Sequence, residues 1–166
     1  MKKLLFILVS ILAVSFAQAQ GYDSIPPYLK AKVIPSFNIQ QTDSTWFRTQ
    51  DLPEKQPTVI IYFNPDCGHC QETAKKISEK MTDLQNVTFI WATYLSPMET
   101  IETFKKDYKL ENYPNVHFGK DPQYFIPSFF RVEYTPFVAL YNAKGKLVKA
   151  WPMDFTVDDL KKELGK

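Results

Sequence analysis

Cysteine and histidine are scarce in this 166-residue chain, which has two of each. A zinc site takes about four convergent ligands, usually a second cysteine pair or paired histidines. Beyond Cys67 and Cys70 the chain offers only His69 and His117, and nothing in the sequence clusters them, so no metal is expected. Covalent haem attachment needs a histidine directly after the second cysteine, and Gln71 stands there. No cysteine precedes Cys67, so a lipid-bearing N-terminal cysteine is not expected. Neither sign of charge dominates, with 20 Lys and Arg against 18 Asp and Glu. Such a balance gives no electrostatic case for nucleic acid or an anionic membrane. No internal repeat, no low-complexity tract and no second long apolar run follows the N-terminal one.

That N-terminal stretch reads as a secretory signal. Lys2 and Lys3 precede an almost unbroken apolar run over residues 4–14, and Ala17-Gln18-Ala19 supplies a small-residue cleavage pattern. The run is shorter than the roughly 20 residues that span a bilayer. The expectation is therefore a signal peptide over residues 1–19 and one domain over residues 20–166, exported, with the periplasm as its compartment and no membrane span after cleavage. Removing nineteen of 166 residues leaves 147, enough for one core.

Two strands stand out as apolar runs without polar alternation, the mark of burial on both faces: residues 58–63 and 87–93. Before them, Val33, Phe37 and Ile39 alternate, and Gln41-Thr42-Asp43-Ser44 precedes Trp46-Phe47-Arg48, which predicts a β-hairpin. Ala74, Ile77, Met81 and Leu84 recur at helical spacing. Ser96-Pro97-Met98-Glu99 has a capping-box pattern ahead of a buried stripe at Ile101, Phe104 and Tyr108. A short strand is expected near residues 115–118. Asp121-Pro122 opens a further helix with Phe125 and Phe129 inward, and the aromatics Tyr124, Phe125, Phe129 and Phe130 read as core. Residues 137–141 and 146–151 form strands about the turn Asn142-Ala143-Lys144-Gly145, and Thr156 caps a last helix. The order predicts an α/β fold, a mixed central sheet with helices on both faces.

The chemistry concentrates in Asn64-Pro65-Asp66-Cys67-Gly68-His69-Cys70-Gln71, between a buried strand and a helix. A disulfide closing so short a loop removes little chain entropy and is a poor structural staple. The spacing suits a bond that is made and broken. Both sulfurs fit on one helical turn, the first beside unpaired backbone N–H groups that favour a thiolate, the second one turn deeper. Cys67 is thus the expected nucleophile and Cys70 the resolver, with His69 adding a hydrogen bond or charge. The redox group is the Cys67–Cys70 pair itself, and no cofactor is expected. Partners are protein thiols and disulfides, together with a redox partner that the sequence does not identify.

The strand ending in Tyr62-Phe63-Asn64-Pro65-Asp66, the Cys-Gly-His-Cys that follows and the later Tyr134-Thr135-Pro136-Phe137-Val138-Ala139-Leu140-Tyr141 together resemble the thioredoxin superfamily. The N-terminal hairpin and the helix and strand inserted before Pro136 are similar to the exported TlpA/ResA-like branch. The likeness implies a thioredoxin-like fold and thiol–disulfide oxidoreductase activity. It implies catalytic roles for Cys67, Gly68, His69 and Cys70, a cis-proline at Pro136, and client docking on the Thr135 backbone. Three positions depart from the pattern: Asp66 replaces the usual tryptophan, Ile61 stands where thioredoxins bury an aspartate, and Thr73 stands where ResA-like reductases often have a glutamate. Proton handling at Cys70 falls to Glu72, His69 or water. The Gly-His pair resembles protein disulfide isomerase, whose centres lie near about −180 mV against about −270 mV for thioredoxin. That leans toward an oxidant or isomerase, the TlpA/ResA-like body toward a reductase, and the direction of electron flow stays open. A peroxiredoxin needs Thr or Ser three residues ahead of its reactive cysteine, where this chain has Asn64. A non-catalytic binding module, or a copper carrier using Cys67, Cys70 and His117, is the alternative. A lone histidine between Val116 and Phe118 is more often structural than a ligand.

Overall fold

The computed structural model describes residues 24–166, so the signal expected over residues 1–19 lies outside the described residues. The chain runs α1 (Pro27–Ala31), β1 (Asn38–Gln41), β2 (Trp46–Arg48), β3 (Thr58–Tyr62), α2 (Gly68–Glu79), β4 (Thr88–Thr93), α3 (Met98–Asp107), β5 (Val116–Lys120), α4 (Phe125–Phe130), β6 (Phe137–Tyr141), β7 (Leu147–Trp151) and α5 (Val157–Glu163). Seven strands form one mixed sheet in the order β2-β1-β5-β4-β3-β6-β7. The central strands β3, β4 and β5 are parallel, and antiparallel β6–β7 and β1–β2 pairs extend the two edges.

Both faces of that sheet are covered, which is why β4 and β6 are buried at every position and read as unbroken apolar runs. One face carries α2, α3 and α5: Cys70, Ala74, Ile77, Phe104 and Leu160 meet Val59, Ile61, Phe89 and Trp91. The other face carries α1 and α4, with Tyr28, Ile126 and Phe130 against Ile60, Ile90 and Ala139. In the first core Phe63 meets Trp91 edge-on at 5.4 Å and Trp91 stacks on Phe118 at 5.3 Å. Such ring pairs add about 0.5–1.5 kcal/mol each beyond simple burial. Phe63 is fully buried, so it fixes the chain one residue before the loop that leads to the cysteines.

Several local expectations shift. The helix after Cys67 stops at Glu79, and Met81 and Leu84 reach the core from a separate 3₁₀ turn. Ser96 is no cap; its hydroxyl pairs with that of Thr93 at 3.3 Å, and Pro97 holds the cap position of α3. The helix after Asp121-Pro122 starts only at Phe125, and Asp121 reaches forward instead, accepting the Ile126 N–H at 2.7 Å. Its buried stripe is Ile126 and Phe130; Phe125 and Phe129 are half-buried, and Tyr124 is exposed. Thr156 does cap α5, accepting the Asp159 N–H at 3.1 Å.

The N-terminal hairpin joins the sheet by pairing β1 with β5, and Gly119 permits that approach. A Cβ there would stand 2.5 Å from the Gln40 carbonyl oxygen and 3.0 Å from Ile39 Cδ1. Backbone cannot yield that distance cheaply. Gly119→Ala should therefore lower stability by about 2 kcal/mol or more, mainly by loosening β1 and β2. Denaturant unfolding checks the loss, and hydrogen exchange should find it concentrated in Asn38–Gln41 and Trp46–Arg48.

Candidate functional site

Because β3, β4 and β5 are parallel, their carboxyl ends share one edge of the sheet, and the loop after β3 turns there into α2. Asn64 shapes that loop: its side-chain oxygen accepts the Asp66 N–H at 3.0 Å and its carbonyl accepts the Cys67 N–H at 3.0 Å. Cys67 takes the cap position in extended conformation, and Gly68 is the first helical residue. Both cysteines are free thiols. A three-residue offset puts them in unlike surroundings. Cys67 is partly exposed at the helix end, whereas Cys70 has no exposed surface and belongs to the first core.

Their acidities diverge accordingly. Burial pushes the Cys67 thiol up, but the backbone N–H groups of Cys70 and His69, the Thr135 side chain and the Cys70 thiol more than offset it, leaving the pKa below that of an ordinary thiol. Cys70 is pushed up to about 12, chiefly by burial, with the neighbouring Cys67 adding to the rise and the Asn64 N–H opposing it. That N–H lies 3.5 Å from Cys70 Sγ.

The Thr135–Pro136 peptide bond is cis, and it lies against the dithiol: the Cys67 thiol donates to the Thr135 carbonyl oxygen at 3.4 Å. This donation favours the neutral thiol, while the Thr135 side chain favours the thiolate. Between α2, the Thr135–Pro136 turn and the loop after β7 lies a cavity of about 460 Å³. His69, Thr73, Tyr134, Pro136, Met153 and Phe155 help to line it, with Tyr134 and Met153 more than half exposed at its rim.

The other residues singled out by sequence fall at different distances from the sulfurs. His69 supports Cys67 through its backbone N–H, while its exposed side chain lines the cavity. Gly68 is exposed, and a Cβ there would meet nothing within 4 Å, so no clash requires a glycine at this position. Glu72 also lines the cavity and pairs with Lys76 at 3.3 Å in an exposed ion pair. His117 stacks on Phe47 with centroids 4.0 Å apart. It sits in register with Ile90 and Ile60, on the sheet face opposite Cys70. Burial lowers its pKa. The copper ligand set of Cys67, Cys70 and His117 is thus divided by the sheet, and among the described residues no three His, Cys, Asp or Glu side chains converge. Sequence reasoning passed over Asn64 and Gln71. The Gln71 side-chain amide donates to the Pro65 carbonyl at 2.9 Å and holds the loop against the helix.

No protein-family model matches the sequence, and no curated protein does. Solved structures do match. A secreted Mycobacterium tuberculosis disulfide oxidoreductase described as homologous to Escherichia coli DsbE is 20% identical, with a TM-score of 0.66 over 78% of this chain and 94% of that one. StoA from Bacillus subtilis is 16% identical, with a TM-score of 0.62 over 80% and 98%. A peroxiredoxin-like protein from Aquifex aeolicus is also 16% identical, with a TM-score of 0.64 over 81% and 84%. At these identities the likeness is one of architecture, shared by proteins described by different chemistries, and the fold of this chain is thioredoxin-like.

Proposed function

We propose that the protein is a thiol–disulfide oxidoreductase of the TlpA/ResA-like kind that exchanges disulfides with protein clients outside the cytoplasm. The observation that carries this reading is the asymmetry of the pair. One sulfur is partly exposed, favoured as a thiolate and placed at a helix N-terminus; the other is buried beneath it and holds its proton. Exchange needs that division. The Cys67 thiolate attacks a client disulfide and forms a mixed disulfide, expelling one client thiolate. Cys70 then loses its proton and attacks Cys67 Sγ, closing the Cys67–Cys70 disulfide and releasing the second client thiolate. The pair is its own redox group. A structural staple would need neither the acid shift at Cys67 nor an open approach to it.

Client docking follows from what surrounds Cys67. An extended client segment lies along the Thr135 backbone, and the cavity beside Pro136 receives the side chain next to the client cysteine. The lining from Tyr134, Met153 and Phe155 suits apolar client residues, such as folding intermediates expose. Export rests on the N-terminal signal pattern and agrees with the description of the mycobacterial neighbour as secreted. Among the described residues no helix is long and apolar enough to cross a membrane.

Two measurements test the assignment. Alkylation of Cys67 should follow a pH midpoint below the roughly 8.5 of a free thiol, and Cys70 should stay unmodified in the folded protein. Cys67 labelling with a midpoint at or above the free-thiol value overturns its role as attacking group.

In its own compartment, Cys70→Ala should accumulate covalent client adducts, seen on non-reducing gels and lost with reductant, because the attacker is intact and the resolver gone. Cys67→Ser should accumulate few. Equal trapping by the two variants reverses or removes the assignment, and trapping by neither removes the exchange reading.

A further inference from the structure

The thiol that must resolve the mixed disulfide is also the one least able to ionise. Cys70 Sγ is enclosed in the first core with Ala74, Ile77 and Phe63, and no carboxylate is among the main groups that act on its acidity. Ile61 lies in the same core and Thr73 is the buried polar residue of its helix, and neither is an acid. Outside the helix the sulfur is approached by a backbone group, the Asn64 N–H at 3.5 Å, and by the Thr135 side chain. A backbone donor is only as well aimed as the loop that carries it. The loop 64–66 is short, follows the buried Phe63, and meets α2 at its cap, where the Asn64 carbonyl accepts the Cys67 N–H. A second tie to α2, inside its first turn, runs from the Gln71 side chain to the Pro65 carbonyl, 2.9 Å long and partly buried.

We infer that Gln71 is a positioning residue for the resolving step: by tying Pro65 to the first turn of α2 it holds the Asn64 N–H toward Cys70 Sγ, where negative charge develops as Cys70 gives up its proton ahead of its attack. This deepens the exchange reading above and rests on it. Attack by Cys67 depends on different donors, the N–H groups of His69 and Cys70, which belong to the helix and stay in place without the clamp. The two chemical steps therefore separate by the residue that supports them.

An aromatic disulfide such as dithiobis(nitrobenzoate) resolves the steps. The Cys67 thiolate breaks the reagent S–S bond, forms a Cys67–aryl disulfide and releases one coloured aryl thiolate. Cys70 then gives its proton to solvent and its sulfur attacks Cys67 Sγ. The Cys67–Cys70 bond forms, the mixed disulfide breaks, and a second aryl thiolate leaves. The dithiol loses two electrons and the reagent gains them. Stopped-flow absorbance of the wild-type protein should show two phases of equal amplitude. In Gln71→Met, neutral and of similar length but without a donor, the second phase should slow about fivefold, the effect of one partly buried hydrogen bond. The first phase and the pH midpoint of Cys67 alkylation should not move. Gln71→Ala should behave alike, and should it fail to fold, Gln71→Met carries the test alone. A second phase at the wild-type rate in Gln71→Met, or equal slowing of both phases, overturns the role of Gln71 while leaving exchange intact. A wild-type protein that releases a single aryl thiolate overturns the exchange reading, and this inference with it.

Discussion

Cys70 is a core residue and, in the proposed exchange, a reagent as well, and most of the architecture can be read as the means of holding it so. Its sulfur has no exposed surface and shares a cluster with Ala74, Ile77, Phe63 and Trp91. For that to happen the first turn of α2 must press onto the sheet where β3 ends. The same placement leaves Cys67, three residues earlier, at the rim. Helix geometry then supplies unpaired N–H groups to the outer sulfur and none to the inner one. One docking interaction thereby creates two chemically different thiols from identical side chains.

The rest of the sheet serves that docking from a distance. β3 is paired on both sides, with β4 and β6, so its end is fixed laterally as well as from above and below. β6 begins at Phe137, directly after Pro136, and its antiparallel pairing with β3 sets Phe137 opposite Tyr62. Thr135 is carried to Cys67 by this register, across 68 residues of sequence. The second core has no contact with the sulfurs, yet without α1 and α4 covering Ile60, Ile90 and Ala139 the central strands would expose one apolar face to water. At about 1.5–3 kcal/mol for each large side chain so exposed, a domain of this size would lose its stability.

Legibility in the sequence tracks how each feature is encoded. Strands buried on both faces announce themselves as apolar runs, and residues 58–63 and 87–93 did so because no face of them could be polar. Cys67 and Cys70 stood out because two cysteines with two residues between them, lacking the further ligands of a zinc or haem site, suit a bond that is made and broken. The frame of α4 was not: in a segment with aromatics at 124, 125, 129 and 130, periodicity fits two stripes, and packing against Tyr28 selected Ile126 and Phe130. Ser96 carried a cap signature, but the buried Thr93 hydroxyl beside it was the partner it met. The contacts that tune the sulfurs left the faintest trace. The Asn64 N–H and the Thr135 carbonyl belong to the backbone, so residue type does not report those two contacts; the Thr135 side chain acts from far along the sequence, and the Gln71 clamp is a polar side chain at an ordinary helical position.

An oxidoreductase, StoA and a peroxiredoxin-like protein share this fold, so the fold alone does not set the chemistry. In the exchange proposed above, the few atoms around the N-terminus of α2 bear on both directions. When the Cys67–Cys70 disulfide oxidises a client, an external thiolate attacks the exposed Cys67 sulfur, and Cys70 departs as the leaving group. A thiol that holds its proton up to about 12 leaves slowly. When the dithiol reduces a client, the same thiol must ionise before it attacks. By microscopic reversibility the charge on Cys70 Sγ is met at one point on the path whichever way electrons flow. The loop donor at 3.5 Å therefore bears on the rate in both directions and leaves the equilibrium between them to the Cys67 thiolate. Stabilising that thiolate favours the reduced pair and makes the disulfide the stronger oxidant, so His69 and the first turn of α2 act on the potential, whereas the loop acts on the speed.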